Sequence, residues 1–212
     1  MRILVIAIVA ACSLATPTAA QTGLDYPNAI GVYVQPDIQP GSAWGYTTYF
    51  GMPGVVDLYV VLTDAVNYSP GGEPGFAPIA HVGGFEFRLE MTENLFLLSA
   101  EYPAGANAVN FLTPPNFLVG CNIAVTGWAT TLLHLQVMWA AYSYCDLVYL
   151  APVFPPNVQS IPGSLAITDA DDAFRLNPAF PASGDFEAPL FFFNCGDDTE
   201  DRAWGSVKSL YR

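Results

Sequence analysis

Two stretches of this 212-residue chain alternate between apolar and polar side chains, and this pattern limits the possible folds more than any other feature. In residues 84–91 one face is Phe85, Phe87, Leu89 and Met91, and the other is Glu86, Arg88 and Glu90. In residues 131–139 one face is Leu133, Leu135, Val137 and Trp139, and the other includes His134 and Gln136. A period of two residues is typical of a β-strand with one face against a core. We therefore predict half-buried strands over 84–91 and 131–139, with the apolar faces inward.

Further strand-like runs are separated by Gly and Pro, which number 18 each. These predicted strands cover residues 29–35, 55–63, 95–101, 109–112, 117–121, 145–151, 164–168 and 189–194. Strands without intervening helices predict an all-β fold, and we expect an antiparallel β-sandwich or jelly roll of about nine strands. No repeat or linker divides the chain, so one β-sandwich domain is predicted over residues 21–196.

Residues 197–212 have a different pattern. Acidic residues open this segment, and Lys208 and Arg212 close it, which favours a helix because such charges oppose the helix dipole. Its apolar side chains fall on one helical face: Trp204, Val207, Leu210 and Tyr211. We predict a short amphipathic C-terminal helix that docks on the sandwich. A recognition tail for another component is the alternative.

Residues 1–20 have the pattern of a secretory signal peptide. Arg2 precedes an apolar run over residues 3–11, and small residues follow up to Ala20. This run is too short to span a bilayer, and no other stretch reaches about 18 apolar residues. We predict cleavage after Ala20 and a secreted or extracytoplasmic protein, in the periplasm or at the cell surface. The alternative is a lipoprotein, because residues 9–12 resemble a lipobox ending at Cys12.

The charge balance is strongly acidic. Six Lys and Arg stand against 19 Asp and Glu, which gives a formal net charge of −13. This balance excludes a protein that binds nucleic acid by neutralising phosphates, and anionic membrane surfaces would repel it. The expected partner is an extracytoplasmic protein or a glycan.

Three cysteines remain after removal of the signal peptide: Cys121, Cys145 and Cys195. An odd number permits at most one internal disulfide. Cys121 and Cys145 are the preferred pair, because the loop of about 25 residues that they would close is worth ~3 kcal/mol in the loop-entropy model. The sequence alone does not fix the pairing, and Cys195 is equally well read as a buried thiol.

The densest acidic cluster in the middle of the chain is Asp169, Asp171 and Asp172, whose carboxylates could bind calcium. An EF-hand loop requires Gly at the sixth position and Glu at the twelfth, where this chain has Phe174 and Phe180. We therefore favour a solvated acidic turn. No cofactor is expected, with calcium as the alternative.

Other chemical candidates are isolated side chains. Glu86 and Glu90 could act as glycosidase carboxylates, but Arg88 lies between them and a solvated sheet face is favoured. His81 and His134 have no Cys, Asp or second His at a metal-ligand spacing. The chain contains no GxSxG, HExxH, CxxC or GxGxxG motif.

Aromatic residues crowd the loop between the first two long strands. Trp44, Tyr46 and Tyr49 could form a platform that stacks on sugar rings. We favour the simpler interpretation, in which the loop folds these rings onto the end of the sheet.

Several segments resemble known secreted proteins. IGVYV at 30–34, LYVVLTD at 58–64, GGFEFRLE at 83–90, SIPG at 160–163 and WGSVKSLYR at 204–212 are similar to a group of uncharacterised secreted bacterial proteins. Residues 55–63 followed by 83–102 also resemble the first strand pair of cohesin modules. That resemblance implies a nine-stranded sandwich that binds protein partners.

These observations predict a non-enzymatic binding or structural module of the bacterial cell envelope or extracellular space, with a cohesin-like protein partner. A carbohydrate-binding module that uses Trp44, Tyr46 and Tyr49 is the alternative. A glycoside hydrolase is the least favoured function, because the chain carries no catalytic motif.

Overall fold

Regular structure in this protein is almost entirely β. The computed structural model describes residues 27–39, 47–48, 52–68, 77–141 and 145–195. The strands are β1 (Ala29–Tyr33), β2 (Thr47–Thr48), β3 (Gly54–Thr63), β4 (Val66–Asn67), β5 (Ala77–Pro78), β6 (His81–Met91), β7 (Leu95–Glu101), β8 (Val109–Asn110), β9 (Asn116–Ala124), β10 (Ala129–Trp139), β11 (Asp146–Ala151), β12 (Leu165–Asp169), β13 (Asp172–Pro181) and β14 (Phe191–Phe193). One turn of 3₁₀ helix covers Pro156–Val158. The all-β prediction is confirmed.

Backbone hydrogen bonds join twelve of these strands into one continuous network, and β4 and β5 form a separate pair. In a first set, β1, β3, β10 and β7 follow one another in antiparallel order. A second set surrounds β6, which pairs with β9 along one side and with β11 and β12 along the other. The strand β8 continues this set beyond β9, and β14 and β2 continue it beyond β11.

The strand β13 connects the two sets. Along most of its length it pairs antiparallel with β12, and at its end it pairs parallel with β1, where Ala29 lies opposite Phe180. Asn28 reinforces this junction, because its side-chain amide donates to the carbonyl oxygens of Val66 (3.0 Å) and Pro178 (3.2 Å). The first strand, β1, is thus joined to the C-terminal end of β13.

Both sets of strands bury their apolar faces in one core. From the first set come Leu133, Leu135, Val137 and Trp139, all fully buried, as the alternation predicts. From the second set come Phe85, Phe87 and Leu89, with Met91 packed at the margin. Burial of a side chain of this size contributes about 1.5–3 kcal/mol each. Both sets of strands therefore contribute to one shared core.

Two sequence predictions about strands are corrected by the structure. The strand β13 was not predicted, because Pro178 and Pro181 within it are typical of loops. Glu86 was predicted on a solvated face but is only 1% exposed. It does point away from the core, but residues 153–163 cover it, and the Ser160 amide donates to both of its carboxylate oxygens at 3.0 Å.

The disulfide joins Cys145 to Cys195, so the predicted pairing of Cys121 with Cys145 is wrong. The physical reason is the register of β11 and β14: Asp146 lies opposite Phe193, which brings the cysteines flanking these strands to a Cα–Cα distance of 4.4 Å. Cys121 is a free, partly buried thiol in β9. It donates to the carbonyl oxygen of Val82 at 3.3 Å, and burial raises its pKa to about 11.

Three predictions concern residues outside the described ranges. These are the signal peptide with Cys12, the aromatic side chains between residues 40 and 51, and the helix over 197–212. Within the described ranges, no helix has the length and apolar character needed to cross a membrane.

Candidate functional site

The strand β7 ends the first set, since it pairs with β10 and with no other described strand. One of its edges therefore presents backbone N–H and C=O groups that no described strand binds. Its side chains are unusually apolar for such a position: Phe96 is 53% exposed and Leu98 is 52% exposed. Natural edge strands more often carry charges or prolines that discourage pairing with another chain. The exposed run on β7 thus marks a candidate binding surface.

Across from β7 lies the segment from β8 to the start of β9. The Asn110 side chain fixes its shape: the amide donates to the carbonyl oxygen of Asn116 (3.2 Å), and the side-chain oxygen accepts from the backbone amides of Leu112 (3.2 Å) and Leu118 (3.0 Å). Val109 and Phe111 in this segment are 56% and 68% exposed. Exposed apolar side chains therefore occur on this segment as well as on β7.

A groove of about 360 Å³ occupies this gap. We call it the β7 groove and define it by Leu97, Leu98, Ser99, Ala100 and Tyr102 on the β7 side and by Asn110, Leu112, Pro114 and Phe117 on the other. Phe117 is buried and its ring lies 5.2 Å from that of Phe87, so the groove opens directly onto the core. A volume of this size accepts one or two large side chains.

Negative charge stands at both ends of β7. Glu93 precedes the strand and Glu101 ends it, and both are exposed. Behind Glu101, the His134 ring contacts two carboxylates, with Nε2 2.9 Å from Asp57 Oδ1 and Nδ1 3.7 Å from a Glu101 oxygen. Tyr59 stacks on the same imidazole at a centroid distance of 4.9 Å. The surface beside the groove is therefore polar and acidic, whereas the groove itself combines apolar side chains with the polar groups of Ser99, Tyr102 and Asn110.

This arrangement suits an extended apolar segment of a protein. A peptide laid along an edge strand gains backbone hydrogen bonds, and pockets that receive alternate side chains give specificity. The β7 groove offers both elements: an edge that no described strand pairs with and an adjacent cavity lined by apolar and polar side chains.

The predicted calcium ligands are engaged elsewhere and do not converge. Asp169 is buried, and it accepts from the Asn67 side-chain amide at 2.6 Å and from the Asp171 backbone amide at 2.9 Å. Asp172 pairs with Arg175 at 3.1 Å. Among the described residues no group of three or more His, Cys, Asp or Glu is placed to hold a metal ion. The cluster spans the tight turn between β12 and β13, which was the favoured prediction, although Asp169 is buried and not solvated as that prediction had it.

The two carboxylates considered for glycoside hydrolysis have separate structural partners. Glu86 accepts from the Ser160 amide beneath the covering segment, and Glu90 forms an ion pair with Arg88. The Arg88 guanidinium also lies over the Phe154 ring, 5.6 Å from its centroid. These contacts fix one segment onto β6.

Sequence reasoning did not single out the β7 groove. The strand over residues 95–101 was predicted, but the alternation that identifies an exposed face is missing from its Leu-Phe-Leu-Leu run. That missing alternation was the available signal, because four successive apolar residues must place some on each face of a strand. Whether the outer ones are covered depends on which strands are neighbours.

Comparison with protein-family models, with curated proteins and with solved structures finds no match for this chain. The similarity to cohesin modules therefore remains a prediction from the sequence.

Proposed function

We propose that this chain is an extracytoplasmic β-sandwich module that binds a protein partner, without catalysis, through the β7 groove. The two sets of strands with a common core support the sandwich, and the segments of the cohesin-like pattern, residues 55–63 and 83–102, form the strands β3, β6 and β7. The disulfide supports the location, because disulfides persist mainly in oxidising compartments.

One observation carries the proposal: large apolar side chains are exposed along an edge strand beside a cavity. Phe96 and Leu98 on β7 and Phe111 opposite are each more than half exposed. Exposure of such side chains lowers solubility and invites association, so contiguous apolar surface usually marks a binding site. The edge of β7 that no described strand binds adds the backbone groups needed to align an extended segment.

The charge around the groove defines the partner's chemistry. Because Glu93 and Glu101 stand at the two ends of β7, the segment that fits best is apolar in its middle and basic at its flanks. Acidic charge of this kind mainly steers the encounter, and the apolar contacts supply most of the affinity.

A photo-crosslinking experiment tests this function. A benzophenone amino acid replaces Leu98 or Phe111 in the full-length chain within its producing cells, and crosslinked products are identified by mass spectrometry. The matched control replaces Leu176, which is also exposed (45%) but lies on β13, outside the groove. We expect position 98 in the groove and position 111 beside it to crosslink one protein that the control position does not reach, and Phe96→Glu to abolish that product.

Equal products from all three positions, or products that persist in the Phe96→Glu variant, would overturn the proposal. The same cells distinguish carbohydrate binding through Trp44, Tyr46 and Tyr49. If the protein bound carbohydrate, free glycan would release it from envelope material, and crosslinks from the groove would stay at the level of the control position.

A further inference from the structure

The lining of the β7 groove is mixed in character. Apolar side chains form one part of it, and Phe117 among them is only 1% exposed and belongs to the core. The other part consists of three polar side chains, those of Ser99, Tyr102 and Asn110. A purely aliphatic occupant would displace water from these polar groups without replacing its hydrogen bonds, which is unfavourable. The side chain that fills the groove therefore needs an apolar body and a polar end.

Each of the three polar side chains keeps hydrogen-bonding capacity. The Ser99 hydroxyl donates to the side-chain oxygen of Gln136 at 3.4 Å, so the lone pairs of its own oxygen remain available. The Asn110 amide donates one N–H to the carbonyl oxygen of Asn116 and has a second N–H, whereas its oxygen already accepts two hydrogen bonds. The Tyr102 hydroxyl forms no hydrogen bond with a described residue. The groove thus offers donors and an acceptor.

The ligand group that matches these side chains must both accept and donate. Burial raises the pKa of the Tyr102 hydroxyl, and the nearby Cys121 sulfur raises it further, so the hydroxyl stays protonated at neutral pH and can donate. A group that accepts from Tyr102 or Asn110 can also donate to Ser99 if it is itself a hydroxyl. Among side chains with a large apolar body, the phenol of tyrosine has this property. The indole of tryptophan only donates, and phenylalanine does neither.

We infer that the β7 groove binds a tyrosine side chain of the partner, with the aromatic ring against Phe117 and the phenol hydroxyl among the polar groups. The inference rests on the proposed function, because it names the residue by which the bound segment is recognised. The groove volume of about 360 Å³ accepts a side chain of this size. Because Glu93 and Glu101 stand at the two ends of β7, basic residues flank this tyrosine in the segment that fits best. A second copy that paired its β7 antiparallel with this one would instead bring carboxylates together at both ends.

Two small molecules test this inference on the full-length chain. p-Cresol reproduces the tyrosine side chain, and toluene is the same molecule without the hydroxyl group. Titrations followed through the NMR signals of the Leu97 and Ala100 methyl groups, which line the groove, measure both dissociation constants. We expect p-cresol to bind saturably, and about twofold to tenfold more tightly than toluene, which corresponds to one net hydrogen bond.

Removal of the Tyr102 hydroxyl should remove this preference. Tyr102→Phe deletes one oxygen atom and keeps the ring that lines the groove. We expect toluene to bind this variant as it binds the parent protein, and the preference for p-cresol to fall below about twofold. Tyr149→Phe is the matched control, because Tyr149 is also partly buried but lies on β11, outside the groove. This control should leave both dissociation constants unchanged.

Several results would overturn the inference. Equal affinity of the parent protein for the two molecules, tighter binding of toluene, or failure of p-cresol to reach saturation would each reject it. A preference that persists in Tyr102→Phe, or that disappears in Tyr149→Phe, would equally reject it. These titrations involve no partner protein, so they can fail while Leu98 and Phe111 still mark positions that crosslink a separate protein. The proposed function is therefore judged from the crosslinks alone.

Discussion

Removal of the disulfide between Cys145 and Cys195 is expected to be the most destabilising single covalent change in the described fold. The bridge closes a loop with a sequence separation of 50 residues. In the chain-entropy model, a loop of this length contributes about 4 kcal/mol by restricting the unfolded chain. The bridge also fastens the end of β14 beside β11, where Phe193 lies opposite Asp146. We therefore expect Cys145→Ala to lower the free energy of unfolding by about 4 kcal/mol.

Urea denaturation under non-reducing conditions measures this change. With a urea dependence of about 2 kcal/mol per M, the midpoint should fall by about 2 M, and reduction of the parent protein should give a similar fall. Cys121→Ala is the matched control, because Cys121 is a free thiol and loses only its packing and its contact with Val82. The reasoning would be refuted if Cys121→Ala caused the larger fall, or if peptide mapping placed Cys121 in a disulfide.

Three further predictions concern buried groups. Asp146→Ala should lower the free energy of unfolding by about 3 kcal/mol, measured by urea denaturation, because the buried carboxylate accepts from the Trp139 indole at 3.0 Å and from two further side chains. Glu86→Ala should free residues 153–163 and speed their cleavage in limited proteolysis. Glu90→Ala, on the exposed end of the same strand, should leave that cleavage unchanged. Equal cleavage in both variants would contradict the conclusion that residues 153–163 are held over Glu86. Since burial raises the pKa of Cys121 to about 11, its alkylation at pH 8 should be about 100-fold slower than that of an exposed thiol. The rate should rise about tenfold with each pH unit and level off only near pH 11. A rate typical of free cysteine would count against its burial.

Periodicity predicted much of the fold because it reports directly on which face of a strand is apolar. The inward faces of β6 and β10 follow from it residue by residue, and the bounds of β7 agree with those predicted. The strand β13 did not follow, because Pro178 and Pro181 oppose a strand assignment locally and are tolerated only by their positions in the sheet. Local pattern therefore failed where tertiary context decides.

The cover over Glu86, the disulfide and the β7 groove depend on contacts between residues that are far apart in the sequence. Glu86 alternates correctly with its neighbours, yet what covers it is a segment some 70 residues later in the chain. The disulfide was mispredicted for the same reason, since a short loop between Cys121 and Cys145 is attractive in sequence while the register of β11 and β14 favours Cys195. The β7 groove likewise exists only because β7 and β8 both lie at the margins of their sets.

The pairing of β1 with β13 has a consequence for the order in which the chain can become native. A polypeptide that is synthesised, or threaded through a membrane, from its N-terminus presents Ala29 long before Phe180. The strand β1 can therefore pair with β3 early, but its second partner, β13, appears only after about 150 further residues. During that interval one side of β1 stays unsatisfied and the core cannot close. Such late, long-range closure is typical of slow folding, in which a nascent chain is prone to aggregate. A holding chaperone that shields β1 until β13 emerges would therefore increase the yield of this protein more than one that acts after release.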